Sequence, residues 1–380
     1  MHHSKQRYLF IDLLRFLAVV FMIQGHTFDA LLDFNLRSAT LFYAHDFFHG
    51  FIAPMFLFAS GTAFGISTLK KWEEHSVPTM HVAKRFGKFF GLIIIGYALH
   101  LPYFSLHKIL NEATPSDIAM WFQVDALHCI AVTMLLLQTA VLVLKDERRF
   151  ILFAAVSAVL IIILSPIVWN IDVTKIFPLW FASYINAGNN SWFPIFPWSA
   201  YILCGVVFAS IFLNAKEHRH AVELIQKTVS AGIFLLIAAF IVLNVPLNLY
   251  PPHDVWKVNP LIICARLGFV LLVTSGVFFA EHSFKITSKI PQIMGRESLF
   301  IYIIHLIILY GSVVNKGLQQ VIMPTLSVVE STFFFVVIFI TISTFTYGWY
   351  QLKTHYSQAA MGVRIIVAVT FIYQFLTRPY

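Results

Sequence analysis

Apolar residues in this chain come in long runs. Eleven stretches, at 8–24, 47–69, 86–103, 126–144, 150–168, 193–213, 228–247, 261–280, 298–314, 331–351 and 359–376, are dominated by Leu, Ile, Val, Phe and Ala and are separated by short polar connections. A helix needs about 20 apolar residues to cross the hydrocarbon core of a bilayer. Most of the runs approach or exceed that length; the last is short and carries Arg364. The pattern predicts an all-α polytopic membrane bundle of 10–11 transmembrane helices. The connections are too short for a separate soluble domain, so one transmembrane domain over 1–380 is expected.

Basic residues orient this bundle. With the N-terminus cytoplasmic, the inner connections hold Lys5, Arg7, Lys70, Lys71, Lys84, Arg85, Lys88, Lys145, Arg148, Arg149, Lys216, Arg219, Lys227, Lys285, Lys289, Arg296 and Lys353. The outer connections hold only Arg37, Lys108, Lys175, Lys257, Lys316 and Arg378. Seventeen against six is a strong positive-inside bias. Topology therefore accounts for the net charge of +8, and no nucleic-acid partner is implied. The first run lacks a small-residue cleavage site and is followed by further spans, so no cleavable signal peptide is expected. Cys129, Cys204 and Cys264 lie in or beside spans and read as apolar packing residues.

A charged residue at the centre of a span costs roughly 2.5–3.5 kcal/mol on insertion scales, so polar groups inside the runs ask for a reason. Asp12 and Arg15 are three residues apart and can pair on one helix face. His26 follows Arg15 by three turns plus about 20°, on the same face and about 16 Å nearer the outside. The stripe is either an ion pair with an interfacial histidine or one wall of a site. His45 and His49, one turn apart on the outer side, can contact substrate, act in catalysis or merely sit at the interface. A lone His pair is a weak metal signature, and no metal is expected. Asp125 and His128 are spaced for a carboxylate to orient an imidazole, or for Asp125 to cap its helix. Ser298, Tyr302 and His305 form one polar stripe that lines a cavity or holds helices together. Trp192 and Trp198 flank a proline-rich helix entrance, as walls of a pocket mouth or as interfacial anchors.

Arg15, ten intervening residues and His26 resemble the Arg-x10-His signature of the membrane acyltransferase type 3 family. Phe193-Pro-Ile-Phe-Pro-Trp198, Val124-Asp-Ala-Leu-His128, Met55-Phe-Leu-Phe58 with Ser60-Gly61, and Gly295-Arg-Glu-Ser-Leu-Phe-Ile-Tyr302 resemble the heparan-α-glucosaminide N-acetyltransferase-like catalytic domain. The resemblance runs from about residue 5 to residue 315.

It implies an acyltransferase that takes an acyl group, usually acetyl, from cytosolic acyl-CoA. The acceptor is a sugar hydroxyl or amine on the outer side. His26 matches the acyltransferase motif; in the heparan-type branch the catalytic histidine lies further on, where His45, Asp46 and His49 stand. The implied acyl-donor channel holds Asp12, Arg15, Arg296, Ser298, Tyr302 and His305, with Lys84, Arg85 and Lys88 near the entry for the coenzyme phosphates. Asp125, His128, Trp192 and Trp198 fall on the acceptor side. Acetyl-CoA or another acyl-CoA is the implied co-substrate. The lipid bilayer and a carbohydrate acceptor are the implied partners, a homo-oligomer is compatible with the sequence, and the architecture fits a bacterial cytoplasmic (inner) membrane. The rival reading is a transporter of a small polar solute that uses the same polar stripe as a pathway.

Overall fold

The computed structural model describes residues 8–245, 249–284, 288–312 and 315–378. Lys5, Arg7 and Lys285 of the inner basic set, and the last residues of the runs 228–247 and 298–314, lie outside these. Among the described residues the chain opens with α1 Leu9–Leu31, α2 Thr40–His49, α3 Ile52–Leu69, α4 Trp72–His75, α5 Met80–Leu99, α6 Leu106–Glu112 and α7 Pro115–Trp121. It continues through α8 Ala126–Leu144, α9 Glu147–Val168, α10 Leu179–Ile185, α11 Ile195–Glu217, α12 Ala221–Leu243 and α13 Val255–Val258. The last helices are α14 Pro260–Phe284, α15 Lys289–Arg296, α16 Ser298–Tyr310, α17 Leu318–Ile322, α18 Val328–His355 and α19 Ser357–Thr377.

Each predicted run falls, among the described residues, on a helix. Among the described residues, nine segments are long and apolar enough to cross a membrane: α1, α2 with α3, α8, α9, α11, α12, α14, α18 and α19. The pair α15–α16, bent by 78°, makes a tenth. The third predicted run differs most. Its helix, α5, carries Lys84, Arg85 and Lys88 in its first half and stops at Leu99, short of Pro102, which cannot continue it. The last run, despite Arg364, is one continuous helix whose Ile365, Ile366, Val369 and Ile372 are exposed, as suits contact with lipid tails.

The helices gather into two compact units. One comprises Met1–Ala53, Leu101–Thr114 and Ala280–Tyr380. Here α1 packs against α15, α16 and α18. Its outer end is tied by two backbone hydrogen bonds, Asp33 N to Leu326 O and Leu326 N to Leu31 O, both 3.0 Å. At the inner end, Glu297 stands at the α15–α16 bend and pairs with Lys353 of α18.

The other unit comprises Pro54–His100 and Pro115–Phe279. Its core is built from Leu57 and Phe64 of α3, Leu137 and Val141 of α8, Phe150 of α9, and Tyr201, Ile202 and Val206 of α11. Lipid tails are as apolar as Leu, so helices in a membrane associate by close packing rather than by expulsion of water. Gly61 and Gly65 on α3 meet Gly205 and Ala209 on α11, a small-xxx-small face on each helix. A Cβ on Gly61 would lie 2.0 Å from the Ile202 carbonyl oxygen, and one on Gly205 would lie 2.2 Å from that of Phe58. The three cysteines are free thiols.

Gly61→Ala and Gly205→Ala are expected to lower stability by about 1–3 kcal/mol each, because backbone must move to admit a methyl group. Gly87→Ala on α5, with nothing within 4 Å of the new Cβ, is the control and gains a few tenths to about 1 kcal/mol from helix propensity. Thermal unfolding in detergent distinguishes the three; equal behaviour of Gly205→Ala and Gly87→Ala would show that the α3–α11 contact is not limiting.

Candidate active site

Each unit brings histidines together around a different partner. In the α1 unit, His305 of α16 is fully buried. Its Nδ1 lies 3.0 Å from the Ile301 carbonyl oxygen one turn earlier, so Nδ1–H donates there. Nε2 is then left as a lone-pair acceptor, buried and with no hydrogen-bond partner among the described residues. His26 of α1 faces it, with ring centroids 5.1 Å apart. His26 Nδ1 is 3.2 Å from the Tyr310 hydroxyl at the outer end of α16. His26 is thus a partly buried imidazole backed by a fully buried one and steadied by a phenol.

His45 and His49 lie against the same stretch of α1 and stack on each other at 5.7 Å. His49 Nε2–H donates to the Phe21 carbonyl at 3.0 Å, and its ring occupies the place a side chain at Gly25 would take. His45 Nε2 meets the Gln24 amide at 2.8–3.0 Å, and its ring stacks on Phe28. Both rings are thereby clamped to α1 through Nε2, while Asp46 is exposed. Of the three candidate histidines, His26 is the one set beside a second imidazole and a phenol.

The residues assigned to the donor channel all fall in this unit. Asp12 reaches across to Arg296, with Oδ2 at 3.4 Å from Nε. Arg15 stands on α1 between Asp12 and His26, Ser298 is buried, and the Tyr302 ring lies 5.5 Å from His305. The predicted α16 stripe thus leads from the inner bend to the imidazole pair.

In the other unit, Asp125 has both roles the spacing allowed. Its Oδ1 caps α8 by accepting from the His128 backbone N–H at 3.0 Å and also accepts from His128 Nδ1–H at 2.7 Å. Its Oδ2 accepts from His100 Nε2–H at 3.2 Å. Burial pushes the Asp125 carboxyl up, but the hydrogen bonds from His100 and His128 outweigh it and hold it well below the usual carboxylate range. The loop before α11 sets the cap: Val124 N–H donates to Ser191 Oγ, and the Val124 carbonyl accepts from Trp192 and Phe193. Tyr97 lies 4.3 Å from His128 and donates to the Tyr184 hydroxyl, whose pKa burial raises. Trp192 is exposed and stands edge-on to His100 at 5.5 Å, whereas Trp198 packs inward on Phe193. A surface hollow of about 620 Å³ at the α11–α12 turn, lined by His218, His220 and Lys227 among others, includes no residue of either cluster.

Tyr310, Gln24 and His100 have no sequence signal of the kind that marked the others. Tyr310 is five residues past His305, about 140° off the stripe, and His100 joins Asp125 from a different helix. Only their location at outer helix ends could have drawn attention to them.

The fold is that of a multi-pass membrane protein. Residues 7–242, more than half of the chain, match the family model described as heparan-alpha-glucosaminide N-acetyltransferase, catalytic. The chain belongs to that family of transmembrane acyltransferases. The match covers α1 to α12, and so includes His26, His45, His49 and Asp125. No curated protein and no solved structure matches the chain.

Asp125→Asn keeps a cap oxygen but removes the charge that two imidazoles share, and is expected to cost about 1.5–3 kcal/mol at neutral pH. Because the folded pKa of Asp125 is depressed, its contribution is fully present above the ordinary carboxylate pKa of about 4 and is lost only as pH falls below it. The difference in unfolding free energy between wild type and Asp125→Asn should therefore be present at neutral pH and shrink as pH falls below about 4. A gap that persists undiminished well below about pH 4 would contradict the assignment.

Proposed function

We propose that the chain is a single acyltransferase domain over 1–380 that takes an acyl group, acetyl in the first instance, from cytosolic acyl-CoA. It delivers that group to a carbohydrate hydroxyl or amine on the outer side of a bacterial cytoplasmic membrane. The observation that carries this reading is His26, half-buried on the outer half of α1 within the family's catalytic region, facing His305 and bonded to Tyr310.

In the tautomer whose Nδ1–H donates to the Tyr310 oxygen, His26 Nε2 presents a lone pair to the acceptor. The acceptor oxygen or nitrogen attacks the thioester carbonyl while its proton passes to Nε2. Collapse of the tetrahedral intermediate expels the coenzyme thiolate, which takes the proton from the imidazolium. Tyr310 fixes the ring and its tautomer, the role a carboxylate has in a serine triad. Arg15 on α1 and Arg296 at the end of α15, both toward the inner side, supply positive charge for the coenzyme phosphates. Asp125, His128 and Trp192 belong to the acceptor side.

The purified protein should show acetyl-CoA-dependent acetylation of D-glucosamine with release of free coenzyme thiol. His26→Ala, at unchanged membrane abundance, should lose about 10²–10⁴ of the rate, and Tyr310→Phe should lose less. Saturating acetyl-CoA should raise unfolding free energy by about 2.7 kcal/mol at a hundred times its dissociation constant, and ATP should not. A wild-type rate in His26→Ala with loss in His49→Ala would move the base to His49. Uptake of labelled solute with no covalent change would replace the enzyme by the transporter reading.

A further inference from the structure

Arg266 lies less than two turns into α14 and is 2% exposed. Its guanidinium sits 4.5 Å from the ring centroid of Trp256 on α13 and 5.8 Å from that of Trp198 on α11. Two aromatic faces answer the charge, but they offer no hydrogen-bond acceptor in the plane of the guanidinium. Nε and Nη1 are buried with no hydrogen-bond partner among the described residues. Tyr201 of α11, 1% exposed, brings its hydroxyl next to the guanidinium without a hydrogen bond of good geometry, and that oxygen too is unpartnered.

Two other arginines each have an oxygen partner. Arg296 has Asp12 and Arg85 has Thr68. Asp254, the acid nearest Trp256 in the chain, is engaged by Lys257 and by the cap of α13. Arg266 Nε, Arg266 Nη1 and the Tyr201 oxygen are thus buried close together, and among the described residues none of the three has a hydrogen bond of good geometry. A buried polar group left this way is strongly disfavoured unless something else completes it. Planar N–H groups on a weakly hydrated cation, held between indoles, match the geometry of an oxyanion.

We propose that Arg266, with Tyr201 and flanked by Trp198 and Trp256, binds an oxyanion, the carboxylate or phosphate group of a ligand that enters from the outer end of α11 and α14. That ligand is a soluble anion. The same chemistry is available from a lipid headgroup, and the test separates the two.

The full-length protein is placed in phosphatidylcholine nanodiscs, and its unfolding temperature is followed with sodium phosphate, sodium acetate or glucosamine 1-phosphate against sodium chloride of equal ionic strength. A second arm replaces part of the lipid with phosphatidylglycerol. A saturable rise with at least one oxyanion is expected, abolished in Arg266→Gln and weakened about tenfold in Arg266→Lys, which keeps the charge without the planar donors. A rise with phosphatidylglycerol alone, still dependent on Arg266, assigns the site to lipid and overturns the soluble-ligand assignment. No response beyond chloride in either arm, or a response that survives in Arg266→Gln, overturns the site. Should Arg266→Gln not fold, wild type and Arg266→Lys decide. An intact anion response without acetyl transfer in wild type would sink the enzyme reading and leave the site standing.

Discussion

Hydrocarbon offers no hydrogen bonds, and everything in this fold follows from that. Backbone groups are satisfied inside each helix, which leaves neighbouring helices little to hold them except close fit. The glycines of α3 and α11 provide that fit by letting backbones touch. The same constraint makes each buried polar side chain informative. Asp125 is surrounded by donors and is complete within the protein. His305 Nε2 and the Arg266 donors are buried and incomplete among the described residues, and such open valences are where a ligand has something to add.

In the α1 unit the constraint also explains how imidazoles from distant parts of the sequence meet. Asp12 and His26 are fourteen residues apart on α1, about 21 Å along its axis. The inner end is anchored where α15 presses on it: a Cβ at Gly295 would lie 2.0 Å from the Asp12 carbonyl, and Arg296 pairs with the Asp12 carboxylate. The 78° bend at Glu297, held by Lys353, then sends α16 along α1 toward the outer end. His305 and Tyr310 arrive beside His26 because the bend and the anchor leave α16 no other course.

The element types were legible from the apolar runs because a span must be long and uninterrupted, and a chain of Leu, Ile, Val and Phe between basic connections has few alternatives. The α16 stripe was legible for the same reason: Ser298, Tyr302 and His305 recur at helical spacing on an otherwise apolar helix. What the sequence hid was non-local. Asp12 is three residues from Arg15, yet it also reaches Arg296 across a helix contact that no periodicity reports. The bend at Glu297 lies at the head of the apolar run 298–314, where no pattern reports its angle, and Arg266 falls in the run 261–280 with nothing in the sequence to mark its indole neighbours on α11 and α13. His100 and Tyr310 join their clusters from helix ends, where side-chain direction depends on how the helix stops.

The two histidine clusters differ in how much of the fold rests on them. Asp125 Oδ1 closes the first turn of α8 and grips His128, so the carboxylate that could activate an imidazole is also the end of a helix. Altering it disturbs structure and chemistry together, and its depressed pKa keeps that lock closed across the physiological range. His26 carries no such duty. Its bond runs to another side chain, Tyr310, and the backbone around it is satisfied by α1 itself. A group that protonates and deprotonates in each turnover has to do so without loosening the helices that hold it. By that criterion the proposed base sits better at His26, where no helix end depends on it, than at the Asp125 cluster, whose carboxylate is the cap of α8.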